Sequence, residues 1–449
     1  MSKQPQRANR SRRATSAAVL VSLALVAGAC GSDQGKSAST DAPVASDTPV
    51  ESDAPVESDA PVESDAPVES DAPVQSDAPP STDGGEVDYQ WTPNADVLAG
   101  AEGQVNLVAW AGYVEDGSTD PAYDWVSPFQ DITGCKVNTK LGNTSDEMVQ
   151  LMQSGEYDGV SASGDATERL IAGDEVIPID LTKLTSYDDV FEGLKLKQWN
   201  SVDGVPYGMP HGRGANLLVY NTEAFSEAPD SWGVMFDGGT VADGAISVYD
   251  SPIYIADAAV YLMTTQPDLG ITNPYALDQT QFDAAMALLE QQKDLVDQYW
   301  AVYTDQQAAL EGGTVLAGTT WQVIVSLAQA NGATIDAVKP VEGATGWSDT
   351  WMISSKASNP NCAYLWADWI ASPWANAQVA VWFGEAPSNA KACAVTGAEH
   401  CQLFHADDED FWTDVYYWTT ATEECVDGRT DVQCVPYTEW VNAWTALRA

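Results

Sequence analysis

Trp347-Ser348-Asp349 sets an indole and a carboxylate two residues apart. On an extended strand, residues i and i+2 point to the same side. One face would then present a π surface beside a negative charge. That pair suits an organic cation with an apolar stem. The competing role is a core aromatic followed by an acid that begins a turn. Gly343-Ala344-Thr345-Gly346 comes just before the triplet, so a small, flexible approach is expected.

The elements that must position such a pair alternate. Residues 105–109 predict a strand that ends at Trp110 and Tyr113. A helix is expected over 124–132, stopped by Gly134. Strands over 136–140 and 157–161 flank a helix over 145–153, and Ser163-Gly164-Asp165 ends the second strand. A further helix is expected over 166–171. Strands over 217–220 and 245–249 follow, the latter ended by Asp250, then a helix over 253–263. Phe282, Met286, Leu289 and Val296 predict an amphipathic helix over 282–296. A strand over 314–320 ends at Trp321, and another over 351–354 follows the triplet. Helices over 363–370 and 375–383 flank Pro373, and a last helix spans 437–447. The alternation is α/β, and ligands of open α/β sheets bind beyond the carboxyl ends of strands.

The chain has 449 residues and a net charge of −47. Its start reads as an export signal. Lys3, Arg7, Arg10, Arg12 and Arg13 precede an apolar segment, 17–29, that is short for a membrane span. Ala27-Gly28-Ala29-Cys30 resembles a bacterial lipobox, which implies cleavage after 29 and lipidation of Cys30. From Glu51 the hexapeptide Glu-Ser-Asp-Ala-Pro-Val recurs at Glu57, Glu63 and Glu69, with a variant at Gln75. Proline and like charge in every repeat cannot build a core, so 30–87 is expected to be a disordered acidic tether. Residues 88–449 carry 52 acids against 13 bases. Such a surface repels nucleic acid and anionic lipid; most of the charges are expected simply to be solvated. Six further cysteines in an exported chain read as disulfides. Cys393 with Cys401 and Cys425 with Cys434 are close enough to pair locally, which leaves Cys135 with Cys362. His211, His400 and His405 show no metal-ligand spacing, so no metal or cofactor is expected.

The order of elements resembles an ABC-transporter solute-binding protein of the spermidine/putrescine-binding family, mainly over 103–400. Val108-Ala109-Trp110-Ala111-Gly112-Tyr113-Val114 is similar to that family's first strand and its Trp-x-x-Tyr end. Tyr157-Asp158-Gly159-Val160 is similar to its third strand, and Val205-Pro206-Tyr207-Gly208-Met209-Pro210 to the entry into its second lobe. Trp347-Ser348-Asp349 is similar to its Trp-x-Asp, and Pro387-Ser388-Asn389 to its late turn. The resemblance implies a two-lobed periplasmic-binding-protein-like fold of type II. One lobe would comprise 88–212 with 348–400, the other 213–347 with 401–449. It also implies a ligand set of Trp110, Tyr113, Ser163, Asp165, Asp250, Trp321, Trp347, Asp349 and Glu385. Ile253 stands where the family has a second carboxylate, whereas Asp165 and Glu385 stand where it has tyrosine. Other roles compete at several positions: Trp321 as a core residue, Asp165 and Asp250 as helix caps, Glu385 as a surface acid.

The function expected is capture of a polyamine for an ABC permease and ATPase by a monomer held at the membrane by lipid, without nucleic acid and without enzymatic activity. A binder of another solute such as a sugar is the alternative. A hydrolase using two carboxylates and an adhesive surface protein are further ones, although Gly-x-Ser-x-Gly, His-Glu-x-x-His and P-loop motifs are absent.

Overall fold

The computed structural model describes residues 87–237 and 245–449. The expected signal segment 1–29, Cys30 and the hexapeptide repeats lie outside the described residues. No helix among the described residues is long and apolar enough to cross a membrane.

Two sheets organise the described chain. In the first, Gln104–Ala109 pairs in parallel with Lys136–Leu141 and with Gly159–Ala162. Ala344–Ile353 then runs antiparallel between Gly159–Ala162 and Gly208–Ala215. The second sheet has the order Ile335–Val338, Leu217–Asn221, Ala317–Thr320, Ile246–Tyr249, Val296–Trp300. This is the two-lobed α/β architecture expected of a type II binding protein.

Local chemistry explains several boundaries. Thr144 caps Ser145–Gln153 by accepting from the Glu147 N–H, and Asp146 and Glu147 lie in its first turn. Met148 and Met152 turn to the core. Asp278 and Gln281 form a reciprocal capping box on Gln279–Gln292. That helix stops short of Val296, which begins the edge strand Val296–Trp300. Leu295 is buried in the lobe interior, so the apolar run that looks helical serves a turn and a strand instead. The approach to the triplet also differs from expectation. Residues 344–346 and the triplet belong to one ten-residue strand, Ala344–Ile353, buried along its whole length.

Three segments join the lobes. Gly208–Ala215 leads through Asn216 into Leu217–Asn221, and Ala344–Ile353 returns. The third is the tail. Val415–Tyr417 pairs in parallel with Ala344, Thr345 and Gly346, and Tyr437–Arg448 then packs Trp440, Trp444 and Leu447 into the second lobe. Side-chain hydrogen bonds stitch these crossings together. Asn216 Nδ2 donates to Thr345 Oγ1 at 2.6 Å, and Thr345 Oγ1 donates to Asp257 Oδ1 at 2.9 Å. Thr420 donates its backbone N–H to Glu168 Oε2 and its hydroxyl to the Asp165 carbonyl. Three disulfides close the described chain: Cys135–Cys362, Cys393–Cys401 and Cys425–Cys434.

Burial raises the carboxyls at these seams, Asp257 to about 7 and Glu168 to about 8. Both therefore hold a proton in the folded chain at pH values where the unfolded chain has released it. Folded protein binds more protons, so stability falls as pH rises through this range. His211 works oppositely: burial lowers it to about 3, so below about 6.5 the unfolded chain gains a proton that the folded chain refuses. The melting temperature should climb as pH drops from about 8.5 to about 6.5 and then flatten. Calorimetry across that range measures it, and a rising melting temperature with rising pH would contradict the assignment.

Candidate ligand cavity between the lobes

A cavity of about 730 Å³ opens at the carboxyl ends of strands from both sheets. That volume is in the small-molecule range. Trp110, Tyr113 and Ser163 enter it after strands of the first sheet. Trp321 enters from the end of Ala317–Thr320, and Val302 from the loop after Val296–Trp300. Trp347 and Asp349 stand in its wall, two residues apart on the shared strand.

Gly214 and Gly212 make room for this arrangement. They lie opposite Trp347 and Asp349 on the neighbouring strand. A Cβ on Gly214 would come within 2.4 Å of Trp347 Cζ2, and one on Gly212 within 2.6 Å of Glu385 Cδ. Both approaches are far inside van der Waals contact, so the indole and the carboxyl occupy space that glycine leaves. A register shift between Asp349 and Thr350 sits at the same place.

Asp349 is 2% exposed. Ser163 Oγ donates to its Oδ1 at 2.5 Å and Tyr113 Oη to its Oδ2 at 2.9 Å. Burial pushes its carboxyl up to about 6, against those two hydrogen bonds. It is therefore largely ionised at neutral pH, in surroundings where a charge is costly without a partner. Behind Tyr113 lies Glu385, 3.3 Å from the same hydroxyl and fully enclosed. Burial, then the Asp349 charge, drives Glu385 well above the usual carboxylate range. One phenolic proton cannot serve two carboxylates. The shorter contact gives it to Asp349, which leaves Glu385 protonated. Trp351 Nε1 donates to His211 Nδ1 at 3.0 Å, so the neutral imidazole carries its proton on Nε2. That nitrogen faces Glu385 Oε1 at 3.3 Å; the contact is close, but not aligned as a hydrogen bond.

Other expected ligand residues lie elsewhere. Asp165 is buried, accepting from Ser145 Oγ at 2.9 Å and pairing with Arg169 at 3.4 Å. Asp250 accepts from Trp444 Nε1 at 2.9 Å and from Arg448 at 3.2 Å, on the terminal helix. Glu385 stays behind Tyr113. None of these three lines the cavity. Ile253 packs in the second-lobe core.

The wall includes residues that the sequence reading did not single out: Trp382, Phe383, Trp418, Tyr303, Glu115 and Asp116. Trp382 and Phe383 end the helix Pro373–Phe383, where Gly384 in left-handed conformation turns the chain back toward Glu385. An aromatic pair directly before a glycine was the available signal. Trp418 stacks on Tyr249 at 5.8 Å, nearly parallel, and its backbone N–H bonds the Gly346 carbonyl. Its place in an aromatic-rich tail concealed it.

Residues 124–400, more than half of the chain, match the family described as bacterial extracellular solute-binding protein. Residues 39–79 match a Schizosaccharomyces pombe repeat of unknown function. A putrescine/cadaverine-binding protein of Pseudomonas aeruginosa is 24% identical over 288 residues, covering 61% of this chain and 75% of that one. A spermidine/putrescine ABC transporter substrate-binding protein of Streptococcus pneumoniae superposes with a TM-score of 0.60 at 17% identity, covering 77% of this chain and 97% of that one. A PBP from A. tumefaciens in complex with glucopine gives 0.59 at 16%, covering 77% and 100%. The likeness at this identity is one of fold, and it matches the two lobes described above. The extent of the family match establishes that the chain belongs to the bacterial extracellular solute-binding proteins.

Proposed function

We propose that this chain captures an organic cation of the polyamine class between its lobes and delivers it to an ABC permease and ATPase. One observation carries the reading. The cavity wall combines aromatic rings with the carboxylates Asp349, Glu115 and Asp116, and among the described residues it contains no lysine or arginine. A carboxylate-bearing solute would meet only like charge there. A cation finds an ionised acid within a low-dielectric wall and π faces for its methylenes. The names of the polyamine-binding relatives support the same class.

The ligand-binding set in this proposal is Trp110, Tyr113, Ser163, Trp321, Trp347 and Asp349. Glu385 stands behind this set through Tyr113, while Asp165 and Asp250 pair with Arg169 and Arg448 away from the cavity wall. The lobes are proposed as 88–212 with 348–400 and 213–347 with 401–449. The start of the chain, 1–29, is proposed as a signal, Cys30 as the lipid site and 30–87 as a tether. Together they would hold a monomeric head outside the cytoplasmic membrane.

Titration calorimetry with putrescine and spermidine should give saturable heat that weakens as ionic strength rises. No heat with any amine, alongside binding of a neutral oligosaccharide, would replace the proposal. Asp349→Asn should cost about 2–5 kcal/mol of affinity, because it removes a buried charge partner; an unchanged dissociation constant would take Asp349 out of the site. Affinity should also depend on pH in one direction. Asp349 titrates at about 6 in the free protein, and its protonated form offers no charge. Binding should be level above that value and fall about tenfold per pH unit below it. A flat profile from pH 7.5 to 4.5 would contradict the role.

A further inference from the structure

The chemistry of the wall says more about the cation than its charge. Trp110, Trp321, Trp347, Trp382, Trp418 and Phe383 all contribute to the cavity. Their orientations are fixed by neighbours. Phe383 meets Trp347 edge-to-face at 5.9 Å and Tyr113 at 4.8 Å. Tyr249 packs against Trp321 at 5.5 Å and stacks on Trp418. Four of the indoles withhold their polar atom. Trp321 Nε1 donates to Asn216 Oδ1, and the Nε1 atoms of Trp110, Trp347 and Trp418 are buried without a partner. What these rings offer a guest is carbon.

Acceptors are scarce by comparison. Each oxygen of Asp349 already accepts one hydrogen bond, and only a sliver of the residue reaches the cavity. The other nearby carboxyls are taken. Glu385 is screened by Tyr113, Asp165 is held by Ser145 and Arg169, and Asp250 by Trp444 and Arg448. Glu115 and Asp116 belong to the loop after the first strand, and Asp116 is exposed, at the mouth.

A primary ammonium brings three N–H donors, and each must find an acceptor when it leaves water. Beside Asp349 the lining offers only the hydroxyls of Ser163 and Tyr113, which already turn their protons toward it, and its other polar side chains lie at 115–119, Thr139, Asn143 and Tyr303. A nitrogen carrying methyl groups has fewer donors, and a quaternary one has none. Its charge is spread over methyls that pack on ring faces, while Asp349 balances the charge without a direct hydrogen bond. We infer that the nitrogen seated among these rings is N-methylated, and quaternary in the limiting case. Any second, hydrated ammonium of the ligand would lie toward Glu115 and Asp116. This inference rests on the cation-binding proposal above and narrows it.

The test is a matched pair measured by calorimetry on the full chain: putrescine, and putrescine with one nitrogen trimethylated. The methylated compound should bind at least tenfold tighter. Trp110 is only partly buried, so Trp110→Leu should fold, and it should lower the methylated affinity more than the primary, drawing the ratio toward one. Tighter or equal binding of putrescine would overturn the inference and leave the cation proposal standing. Absence of binding by both compounds would overturn the two together. A ratio unchanged in Trp110→Leu would remove the ring wall as the source of the preference.

Discussion

A carboxylate shut away from water is the constraint around which this molecule is arranged. Asp349 sits on the one long strand common to the first sheet and the lobe junction, nearly without solvent contact. An unpaired charge in such a place costs several kcal/mol. The surroundings offset part of that cost with two hydroxyl donors, Ser163 and Tyr113, brought from the ends of two different strands. Each of those positions then carries demands of its own. Tyr113 needs Phe383 and His211 against its ring. Ser163 must stand at the start of Gly164–Ala172. The offset is incomplete, as the raised titration of Asp349 shows, and the remainder is what a cationic guest can relieve.

The acidity of the chain divides into two populations with different physics. Most of its acids lie on the surface, where water and salt screen them. A few are enclosed and pushed toward neutrality: Glu385, Glu168 and Asp257. The net charge of −47 is thus a poor guide to the cavity, whose lining holds three acids, Asp349, Glu115 and Asp116. Counting acids from composition cannot separate these groups, because enclosure is a tertiary property.

That distinction explains what was legible in the sequence. Strand–helix alternation and the i, i+2 relation of Trp347 and Asp349 depend on local periodicity, and the structure puts both residues in one wall. The aromatic strand ends Trp110 and Trp321 reach the same cavity for the same reason. Asp165 and Asp250 were legible as acids after strands; the i,i+4 spacing of Asp165 and Arg169 was a readable sign of their pairing, but the pairing of Asp250 with Arg448 was not. The Asp250 partner lies 198 residues away, and nothing in either neighbourhood announces it. Val296 continues a helical apolar pattern, yet it enters a strand because sheet pairing with Ile246 outweighs local preference. Trp418 belongs to a tail whose path back across both lobes could not be inferred from composition. The alternation of Gly212 and Gly214 was a readable sign that large groups lie across that strand.

That returning tail has a mechanical consequence. Asn216 bonds Thr345, and Gly346 bonds Trp418, so the three connecting segments lie side by side as a narrow ribbon. Two strips can shear past one another; a third, paired over Val415–Tyr417 with Ala344–Gly346, adds hydrogen bonds that such a slide would disturb. Any displacement of one lobe against the other would therefore have to bend or break hydrogen bonds in all three segments at once.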